Sequence, residues 1–361
     1  MSDAAHMRHA LALAERALGI TAPNPAVGCV IVKDERVVGR GWTQPGGRPH
    51  AEVVALLEAG DDARGATAYV TLEPCAHQGE TPPCANALVQ AGVARVVSAV
   101  EDPDPRVSGK GLAMLREGGV AVTTGVLERE SAALNAGFFL RVTKSRPLVT
   151  LKVAQSIDGK TATVSGHSKW ITGPEARRLG HLLRAKHDAI LVGIETALAD
   201  NPDLTCRIAG LEDRSPIRVV LDTRLRLDDS SKLAKTAKQF PTRVYTTASG
   251  GSSLAARGVE VVRVKKDARG RPDIAAVLKD LAIIGVTRLL VEGGASVHAS
   301  FLDRGFADRL EIFRAPIFLG ASGRNGIDAL AALDLDEASR FVSLGTRKLG
   351  PDMLESFAVR A

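Results

Sequence analysis

Three short segments of the chain carry the residue types of one metal centre. The tripeptide HAE begins at His50, and two PC pairs end at Cys75 and Cys84, with eight residues between the two cysteines. A catalytic zinc ion needs three protein ligands and one open position for water, and one imidazole with two thiolates supplies them. The sequence therefore predicts a fold that brings His50, Cys75 and Cys84 to a single point.

The acidic residue of the tripeptide has a separate predicted role. Glu52 lies two residues after His50, where a carboxylate can take a proton from bound water and pass it to a departing amine. We predict that Glu52 is the acid/base catalyst and not a ligand. The order of these residues matches the zinc-dependent deaminases, whose general signature has only two residues between the cysteines. The longer loop here contains His77, whose role as substrate contact, ligand or solvated side chain stays open.

Length and composition limit the classes of protein that fit. A chain of 361 residues is long enough for two domains. The formal charge is +6, but aromatic residues make up only 4% and no dense Lys/Arg run occurs, which favours small phosphorylated substrates over nucleic acid. Four cysteines without a secretion-signal pattern favour metal or redox use in the cytoplasm. No uncharged apolar run is long enough for a bilayer, so no membrane partner is expected.

Periodicity predicts a layered α/β domain over residues 1–145. AVGCVIVKDERVVGRG is typical of a hairpin, EVVALLEAG and CANALVQAG of helices, and ATAYVTLEP and ARVVSAV of strands. Pro147 then opens a β-branched run that is typical of the first strand of a new sheet. We therefore predict a second domain over residues 146–361.

The second domain is also predicted to be α/β. Strands are expected at AILVG, IRVVLD, TRVYTT, VEVVRV, RLLVEGG and RLEIFRAPIFLG, and helices at GPEARRLGHLLRAK and DIAAVLKDLAIIG. No GxGxxG fingerprint follows a strand, so the usual dinucleotide-binding pattern is missing. The Gly293-Gly294 turn between a strand and a helix offers backbone N–H groups to an anion such as a pyrophosphate.

Longer segments resemble a known bifunctional family. PNPAVG, HAE, TLEPCAHQGETPPC and EDPDPRVSGKG resemble the diaminohydroxyphosphoribosylaminopyrimidine deaminases of riboflavin biosynthesis, which share the longer cysteine spacing. LKVAQSIDGKTAT, SGHSKWITG, GIETALADNPDLTCR and VEGGASV resemble the reductase domain of the same family. The resemblance implies a cytidine-deaminase-like three-layer α/β/α domain over 1–145 and a dihydrofolate-reductase-like α/β domain over 146–361.

The resemblance also implies site residues in both halves. Zn²⁺ would be held by His50, Cys75 and Cys84, with Glu52 catalytic, Asn24 beside the pyrimidine pocket and the 102–111 loop near the ribose phosphate. NADPH would be bordered by Ala154, Trp170, Thr196, Asp200, Thr223, Gly294, Ala295, Ser296, Val297, His298, Ala299 and Ser300. The substrate of the second half would be held by Ser168, Arg184, Leu204, Arg207 and Glu292.

The implied activity has two steps. The first is zinc-dependent deamination of 2,5-diamino-6-ribosylamino-4(3H)-pyrimidinone 5′-phosphate, and the second is NADPH-dependent reduction of the ribosyl group, giving 5-amino-6-(5-phosphoribitylamino)uracil. The resemblance further implies a homo-oligomer. Two arginines in the second half, Arg184 and Arg207, would suit a clamp on the ribose phosphate, and Glu292 would suit sugar hydroxyls.

The residues themselves leave several points open. Asp222 and Arg224 follow a predicted strand, and an acid there binds a ribose hydroxyl whereas an arginine binds a 2′-phosphate, so NADPH and NADH are not distinguished. The roles of Lys152, Asp158 and Cys206 are also open. Two other functions fit parts of the pattern, a deaminase acting on tRNA adenosine and a binding module with a structural zinc.

Overall fold

The computed structural model describes residues 2–78, 82–332 and 334–360. It divides into two compact units, Met1–Arg146 and Pro147–Ala361. Each unit has hydrophobic clusters of its own. Among the described residues, no helix combines the length and the apolar character that crossing a membrane requires.

Among its described residues, the first unit contains five α-helices and five strands. The helices are α1 (Asp3–Ala14), α2 (Ala51–Ala59), α3 (Cys84–Gln90), α4 (Lys110–Glu117) and α5 (Glu128–Lys144). The strands are β1 (Gly28–Lys33), β2 (Arg36–Trp42), β3 (Thr67–Val70), β4 (Arg95–Ser98) and β5 (Ala121–Thr124).

The five strands form one sheet with the order β2-β1-β3-β4-β5. β1 is antiparallel to both β2 and β3, whereas β3, β4 and β5 are parallel. Alternate residues of β1 enter opposite layers, because successive side chains of a strand point to opposite faces. Cys29 and Ile31 pack in the cluster that contains α2 residues, and Val30 packs with Met7 and Ala10 of α1. The predicted layered α/β arrangement is confirmed.

Glycines in the first two strands allow close approach of helices from both sides. A Cβ on Gly28 would lie 1.9 Å from the carbonyl oxygen of Ala10 in α1, and one on Gly41 would lie 2.1 Å from that of Ala51 in α2. No side chain fits at either contact. The glycines of the predicted hairpin therefore position α2, whose first turn carries Glu52.

In the part of the second unit that the structure describes, there are six α-helices and eleven strands. The helices are α6 (Pro174–Ala185), α7 (Ile194–Asp200), α8 (Lys232–Lys235), α9 (Ser252–Ala256), α10 (Ile274–Ile283) and α11 (Ala295–Asp303). The strands are β6 (Leu148–Ser156), β7 (Lys160–Ala162), β8 (Ala189–Gly193), β9 (Ile217–Leu221), β10 (Thr242–Thr246), β11 (Glu260–Arg263), β12 (Arg288–Gly293), β13 (Arg309–Ala315), β14 (Arg324–Asn325), β15 (Phe341–Leu349) and β16 (Asp352–Val359).

Nine of these strands form one sheet with the order β11-β10-β9-β8-β12-β6-β13-β16-β15. The seven strands from β11 to β13 in this order are parallel to their neighbours, and β16 and β15 complete the sheet with antiparallel pairing. The chain adds strands outward from β8 to β11 and then returns to insert β12 between β8 and β6. Open α/β sheets bind ligands at the carboxyl ends of strands beside such a reversal.

Two details of the second unit differ from the sequence prediction. RLEIFRAPIFLG was predicted as one strand, but β13 ends at Ala315 because Pro316 lacks an N–H group and restricts the residue before it. The hairpin of β15 and β16 was not predicted. Most residues of β15 are exposed, so this edge strand has little of the apolar alternation by which strands are recognised.

Candidate active sites

The first unit brings His50, Cys75 and Cys84 together. Their ligand atoms all lie within 4.8 Å of one another. The Nδ1 atom of His50 is 3.3 Å from the Sγ of Cys84 and 3.6 Å from the Sγ of Cys75. One nitrogen and two sulfurs are donors that zinc accepts, and they leave a fourth position open, whereas Mg²⁺ and Ca²⁺ prefer oxygen ligands. The donor set therefore fits a catalytic zinc ion.

Two helix starts position this cluster. His50 immediately precedes α2, and Cys84 is the first residue of α3. The backbone N–H of Cys84 donates to the Sγ of Cys75 across 3.3 Å. Cys75 itself lies outside any helix. Cys75 still receives an N–H group from a helix start, because α3 begins beside it.

The two thiols differ in acidity because they share one hydrogen bond. The bond from the Cys84 thiol, with further help from His50, lowers the pKa of Cys75 to about 4. The same bond raises the pKa of Cys84. Thiolates are the form that binds metal, so Cys75 is prepared as a ligand before any ion arrives.

Glu52 lies against this cluster in a dry environment. Its side chain is 3% exposed, and it lines a cavity of about 150 Å³ together with His50 and Cys75. Burial raises the pKa of Glu52 to about 7, although the neighbouring His50 acts in the opposite direction. A carboxyl group in this setting exchanges a proton near neutral pH.

The other walls of the same cavity come from the loops singled out in the sequence. Asn24, Asp102, Asp104 and Arg106 all line it. Arg106 binds the carboxylate of Asp104 through its Nε at 3.0 Å. The side chain of Asn24 packs where a Cβ on Gly47 would stand, and Gly47 has a φ of +86°, so this turn needs glycine for two reasons.

His77 lines the cavity but is not part of the ligand cluster. Its Nδ1 atom is buried and has no hydrogen-bond partner among the described residues. The residue as a whole is half-buried, and its role stays open. Residues 79–81 of the same loop lie outside the described residues.

Two large cavities lined by residues of the second unit have Thr196 in common. One has a volume of about 740 Å³ and contains Arg184, and we call it the Arg184 cavity. The other has a volume of about 950 Å³ and contains Gly294, and we call it the Gly294 cavity. Gly193 ends β8 and Leu221 ends β9, and both line the Gly294 cavity, so this cavity opens at the carboxyl ends of the parallel strands.

Most of the residues predicted for the second half line these two cavities. The five predicted substrate residues, Ser168, Arg184, Leu204, Arg207 and Glu292, all line the Arg184 cavity. Of the predicted cofactor residues, the Arg184 cavity contains Ala154, Trp170, Thr196 and Asp200. The Gly294 cavity contains Thr196, Thr223, Gly294, Ala295, Ser296, Val297 and Ser300.

Two of the predicted cofactor residues do not reach either cavity. His298 and Ala299 lie on the buried side of α11, with 3% and 5% of their surfaces exposed. The Nδ1 and Nε2 atoms of the His298 ring lie 3.0 and 3.4 Å from the carbonyl oxygens of Gly326 and Val291, and these oxygens accept from the ring nitrogen that carries the proton. Both side chains therefore serve the packing of this helix.

Arg184 and Glu292 form a buried, bidentate ion pair. The Nε atom of Arg184 is 2.7 Å from one carboxylate oxygen of Glu292, and its Nη2 atom is 2.8 Å from the other. Burial alone would raise the pKa of Glu292, but Arg184 and Lys152 lower it to about 2. The third guanidinium nitrogen of Arg184 donates to the carbonyl of Thr205 at 2.9 Å. Arg184 thus orients Glu292 at the cavity wall.

Arg207 and Trp170 are the exposed members of the set. Arg207 lies 3.8 Å from Asp203, and more than half of its side chain is exposed, so its charge is available to an anion. Trp170 is 68% exposed and is therefore not a packed core residue. The guanidinium of Arg177 lies 4.6 Å from the centre of its ring. The pair places a flat apolar surface at the edge of the Arg184 cavity.

The structure also places the residues whose roles were open. Lys152 lines the Arg184 cavity, and burial lowers its pKa. Asp158 accepts from the hydroxyl of Ser156 at 2.6 Å and from the N–H of Gly320 at 2.7 Å, so its carboxylate is used in a turn. Cys206 is buried and is a free thiol.

One face of α6 contributes residues that the sequence analysis missed. Arg177, Arg178 and His181 line the Arg184 cavity beside Arg184. Burial, with Arg184 and Arg207, lowers the pKa of His181 to about 4. The signal was present in the sequence, since basic residues at this helical spacing share a face.

Two protein-family models match the chain. The model described as "Cytidine and deoxycytidylate deaminase zinc-binding region" matches residues 1–100, and that of the RibD C-terminal domain matches residues 147–354. These matches confirm the predicted fold class, a deaminase-type domain followed by a reductase-type domain.

Full-length relatives and solved structures are similar over nearly the whole chain. The riboflavin biosynthesis protein RibD of Aquifex aeolicus is 42% identical and that of Escherichia coli 41% identical, each over 98% of both chains. A solved structure of Acinetobacter baumannii RibD has a TM-score of 0.89 at 39% identity, covering 99% of both chains. The diaminohydroxyphosphoribosylaminopyrimidine deaminase/5-amino-6-(5-phosphoribosylamino)uracil reductase of Thermotoga maritima has a TM-score of 0.88 at 34% identity, also over 99% of both chains.

Proposed function

This chain belongs to the RibD family of bifunctional deaminase/reductases in riboflavin biosynthesis, and on that premise we propose the substrates and residues of its two reactions. The first unit deaminates 2,5-diamino-6-ribosylamino-4(3H)-pyrimidinone 5′-phosphate. The second unit reduces the ribosyl group of the product with NADPH and gives 5-amino-6-(5-phosphoribitylamino)uracil.

The observation that carries the proposal for the first unit is the dry carboxylate beside a three-ligand cluster. His50, Cys75 and Cys84 would hold Zn²⁺, which supplies a Lewis acid that makes bound water a better nucleophile near neutral pH. Glu52 lines the same cavity and is sealed from solvent. Its carboxylate takes the proton of the attacking water and returns it to the 2-amino group, which leaves as ammonia while a carbonyl forms.

The remaining walls of the first cavity bind the rest of the substrate. Asn24 borders the pyrimidine, because its amide offers both a donor and an acceptor to the ring edge. Arg106 is mostly exposed at the mouth of the cavity, and a guanidinium there suits a phosphate oxygen. Asp104 holds that guanidinium in place.

In the second unit, the two cavities that share Thr196 are large enough together for one NADPH molecule and one substrate molecule. NADPH supplies the hydride that is transferred to C1 of the ribosyl group. We assign the Arg184 cavity to the nicotinamide and the substrate, with Glu292 facing the sugar hydroxyls and Arg207 facing the phosphate. Arg184 fixes the carboxylate of Glu292 through the bidentate pair and does not itself clamp the phosphate.

The Gly294 cavity is assigned to the pyrophosphate and adenosine of the cofactor. Gly294 precedes the first turn of α11, a nine-residue helix whose free N–H groups favour an anion. Gly293 has a φ of +137°, which only glycine adopts readily, and a Cβ on Gly294 would stand 3.2 Å from the hydroxyl of Thr196. Glycine at both positions thereby leaves the space beside the Thr196 hydroxyl free.

Location and assembly are part of the same proposal. All four cysteines are free thiols in the structure, and zinc ligation needs them reduced, so we assign the protein to the cytoplasm. We also assign a homo-oligomeric state, which light scattering coupled to size-exclusion chromatography tests directly. Neither assignment affects the two reactions.

The deciding experiment uses the zinc-replete full chain and the diaminopyrimidine ribotide, with and without NADPH. Mass spectrometry should show exchange of an amine for a carbonyl without NADPH, and a further gain of two hydrogens with it. If neither product forms, the substrate assignment is wrong, and a tRNA adenosine deaminase or a zinc-stabilised binding module becomes the next hypothesis to test. If only the first product forms, the assignment of the second unit is wrong.

A further inference from the structure

The Gly294 cavity is rich in cationic side chains. Five of them line it, against the three carboxylates of Glu195, Asp267 and Asp328. The cations are Arg224, Arg226, Lys266, Arg269 and Arg271. The lining of the cavity therefore has a net positive charge.

Two of these cations are already paired and three are not. Arg226 is paired with Glu195, and Arg271 is paired with Asp267. Within residues 2–78, 82–332 and 334–360, no salt bridge engages Arg224, Lys266 or Arg269, and all three side chains are exposed. These three side chains retain their full hydrogen-bonding capacity for an anion.

Hydrogen bonds within the loop that carries Lys266 and Arg269 fix its backbone. The carboxylate of Asp267 accepts the backbone N–H of Arg269 at 2.9 Å and that of Arg271 at 2.8 Å. The N–H of Asp267 in turn donates to the carbonyl of Arg271 at 2.7 Å, and a β-bridge joins Lys266 to Pro272. The backbone from which Arg269 projects is therefore held in one conformation.

The carboxylate of Asp222, which could favour NADH by binding a ribose hydroxyl, is used within its own turn. Asp222 immediately follows β9 and is fully buried. One of its carboxylate oxygens accepts the N–H of Leu227 at 2.8 Å, and the other accepts the N–H of Arg224 at 3.3 Å. A carboxylate consumed in its own turn cannot bind a ribose hydroxyl, which is the contact that favours NADH in dinucleotide-binding proteins. Asp222 instead fixes the backbone of Arg224 at the cavity.

From these observations we infer that Arg224, Lys266 and Arg269 form the subsite for the 2′-phosphate of NADPH. The inference rests on the proposed reductase function and deepens it, because it names the residues that distinguish NADPH from NADH. Guanidinium groups pair with a phosphomonoester through charge-assisted, bidentate hydrogen bonds, and the Lys266 ammonium adds a third positive charge. NADH has no charge to place there.

The test is a binding measurement and does not depend on turnover. Isothermal titration calorimetry on the full chain compares adenosine 2′,5′-bisphosphate with adenosine 5′-monophosphate, which lacks the 2′-phosphate. The wild-type protein should bind the bisphosphate more tightly. Arg224→Gln and Arg269→Gln should each weaken bisphosphate binding roughly tenfold and the double substitution more, with less than about a threefold effect on the monophosphate.

Two further variants serve as controls. Lys279→Gln removes an exposed cation of α10 that lines neither cavity, and bisphosphate binding should be unchanged. Arg226→Gln removes a cation that is already paired with Glu195, and its effect should be smaller than that of Arg224→Gln. Equal losses for both ligands, or equal effects of Arg226→Gln and Arg224→Gln, would overturn the inference.

Failure of the inference is distinguishable from failure of the proposed function. Fluorescence titration with NADPH and NADH reports the function. If the wild-type chain binds neither dinucleotide, the reductase assignment falls. If it prefers NADPH and the Arg224→Gln, Arg269→Gln double variant keeps that preference, the reductase stands and the subsite lies elsewhere.

Discussion

Glu52 shows how one helix start fixes both a ligand and a base. It is the second residue of α2, and the predicted ligand His50 immediately precedes that helix. Because the backbone of the first helical turn is rigid, the carboxylate and the imidazole keep a constant relation. Its near-complete burial removes competing water, which strengthens any charge interaction in the cavity.

Replacing Glu52 by glutamine should remove proton transfer without changing the shape of the cavity. We expect Glu52→Gln to lower the rate of deamination roughly 10²- to 10⁴-fold, the range that a positioned acid/base contributes. Zinc content, measured by atomic absorption, should stay at the wild-type level. Glu58→Gln on the exposed face of the same helix is the matched control. A deamination rate within a fewfold of wild type for Glu52→Gln would assign proton transfer to another group.

His187 supplies a prediction about stability and pH. Its Nδ1–H donates to the carbonyl of Leu183 at 2.7 Å, and its Nε2 accepts from the hydroxyl of Thr150 at 2.9 Å. Burial lowers the pKa of His187 from 6.5 to about 3. Below about pH 6.5, His187 is therefore protonated in the unfolded chain but stays neutral in the folded chain. As the pH decreases toward 3, the free energy of unfolding falls by up to about 1.4 kcal/mol per pH unit.

Substitution of His187 by glutamine isolates this effect. The variant should be less stable than wild type at about pH 7.5, and the difference should shrink by about 1 kcal/mol at about pH 5.5, because glutamine does not titrate. Urea unfolding followed by circular dichroism measures both free energies. His167→Gln makes the same replacement at an exposed position and serves as the matched control for the free energy of unfolding at about pH 7.5, which it should leave close to that of wild type. A constant difference between His187→Gln and wild type at both pH values would contradict the assignment.

The sequence predicted some site residues and missed others for a physical reason. Residue type and order in the chain were enough to predict the metal cluster and its acid/base residue, which are His50, Cys75, Cys84 and Glu52. The pairing of Arg184 with Glu292 joins residues 108 positions apart, and only the insertion of β12 between β8 and β6 brings them together. The hydrogen bond from the N–H of Leu227 to the carboxylate of Asp222 likewise depends on the orientation of that carboxylate, which no residue pattern predicts.

At the scale of elements, the first hairpin is the frame of the deaminase site. Gly39 and Gly41 alternate on β2, and the backbone of α2 lies where their Cβ atoms would be, at 2.2 Å from the oxygen of Ala55 and 2.1 Å from that of Ala51. Added volume at either position has no flexible side chain to displace. The helix itself must move.

Gly41→Ala should therefore damage the site from behind. We expect a loss of about 1–3 kcal/mol in the free energy of unfolding, as for other overpacked cores, together with weaker zinc binding, because α2 begins at Ala51 beside the ligand His50. Gly180→Ala in α6 adds the same methyl group where no atom lies within 4 Å, and it should leave zinc affinity unchanged. Competition with a zinc indicator dye measures the affinities. Unaltered zinc affinity in Gly41→Ala would show that the helix start tolerates displacement.

Elements with a strong local period were predicted, and elements defined by partners were not. β8, with the sequence AILVG, is buried along its whole length, as its apolar run suggested. β15 is a strand because it pairs with β16 at the edge of the sheet. Its mostly exposed residues do not predict this pairing. The end of β13 at Ala315 could have been predicted from Pro316, because proline lacks the N–H group that continues a strand.

At the scale of the whole molecule, the cluster of His50, Cys75 and Cys84 lies in one unit, and the Arg184 and Gly294 cavities lie in the other. The cluster lies within residues 1–146, and both cavities lie within residues 147–361. Within the described residues, only the cluster of His50, Cys75 and Cys84 has the composition of a metal site. Among the described residues, the candidate metal ligands thus all belong to the first unit.

Removing the metal should separate the two activities. Dialysis against a strong zinc chelator should abolish deamination, and added Zn²⁺ should restore it. NADPH affinity, followed by the fluorescence of the bound nicotinamide, should change by less than about twofold. A large fall in NADPH affinity on chelation would show that the second unit depends on the metal.

The presence of both units in one polypeptide has a consequence for the supply of intermediates. Every copy that is translated adds one site of each kind, so the ratio of the two enzymes is one to one under all growth conditions. Transcription and turnover cannot adjust the second step against the first. How much of the deaminated compound accumulates between the two steps is therefore set by the rate constants at the two sites and by the supply of reduced cofactor.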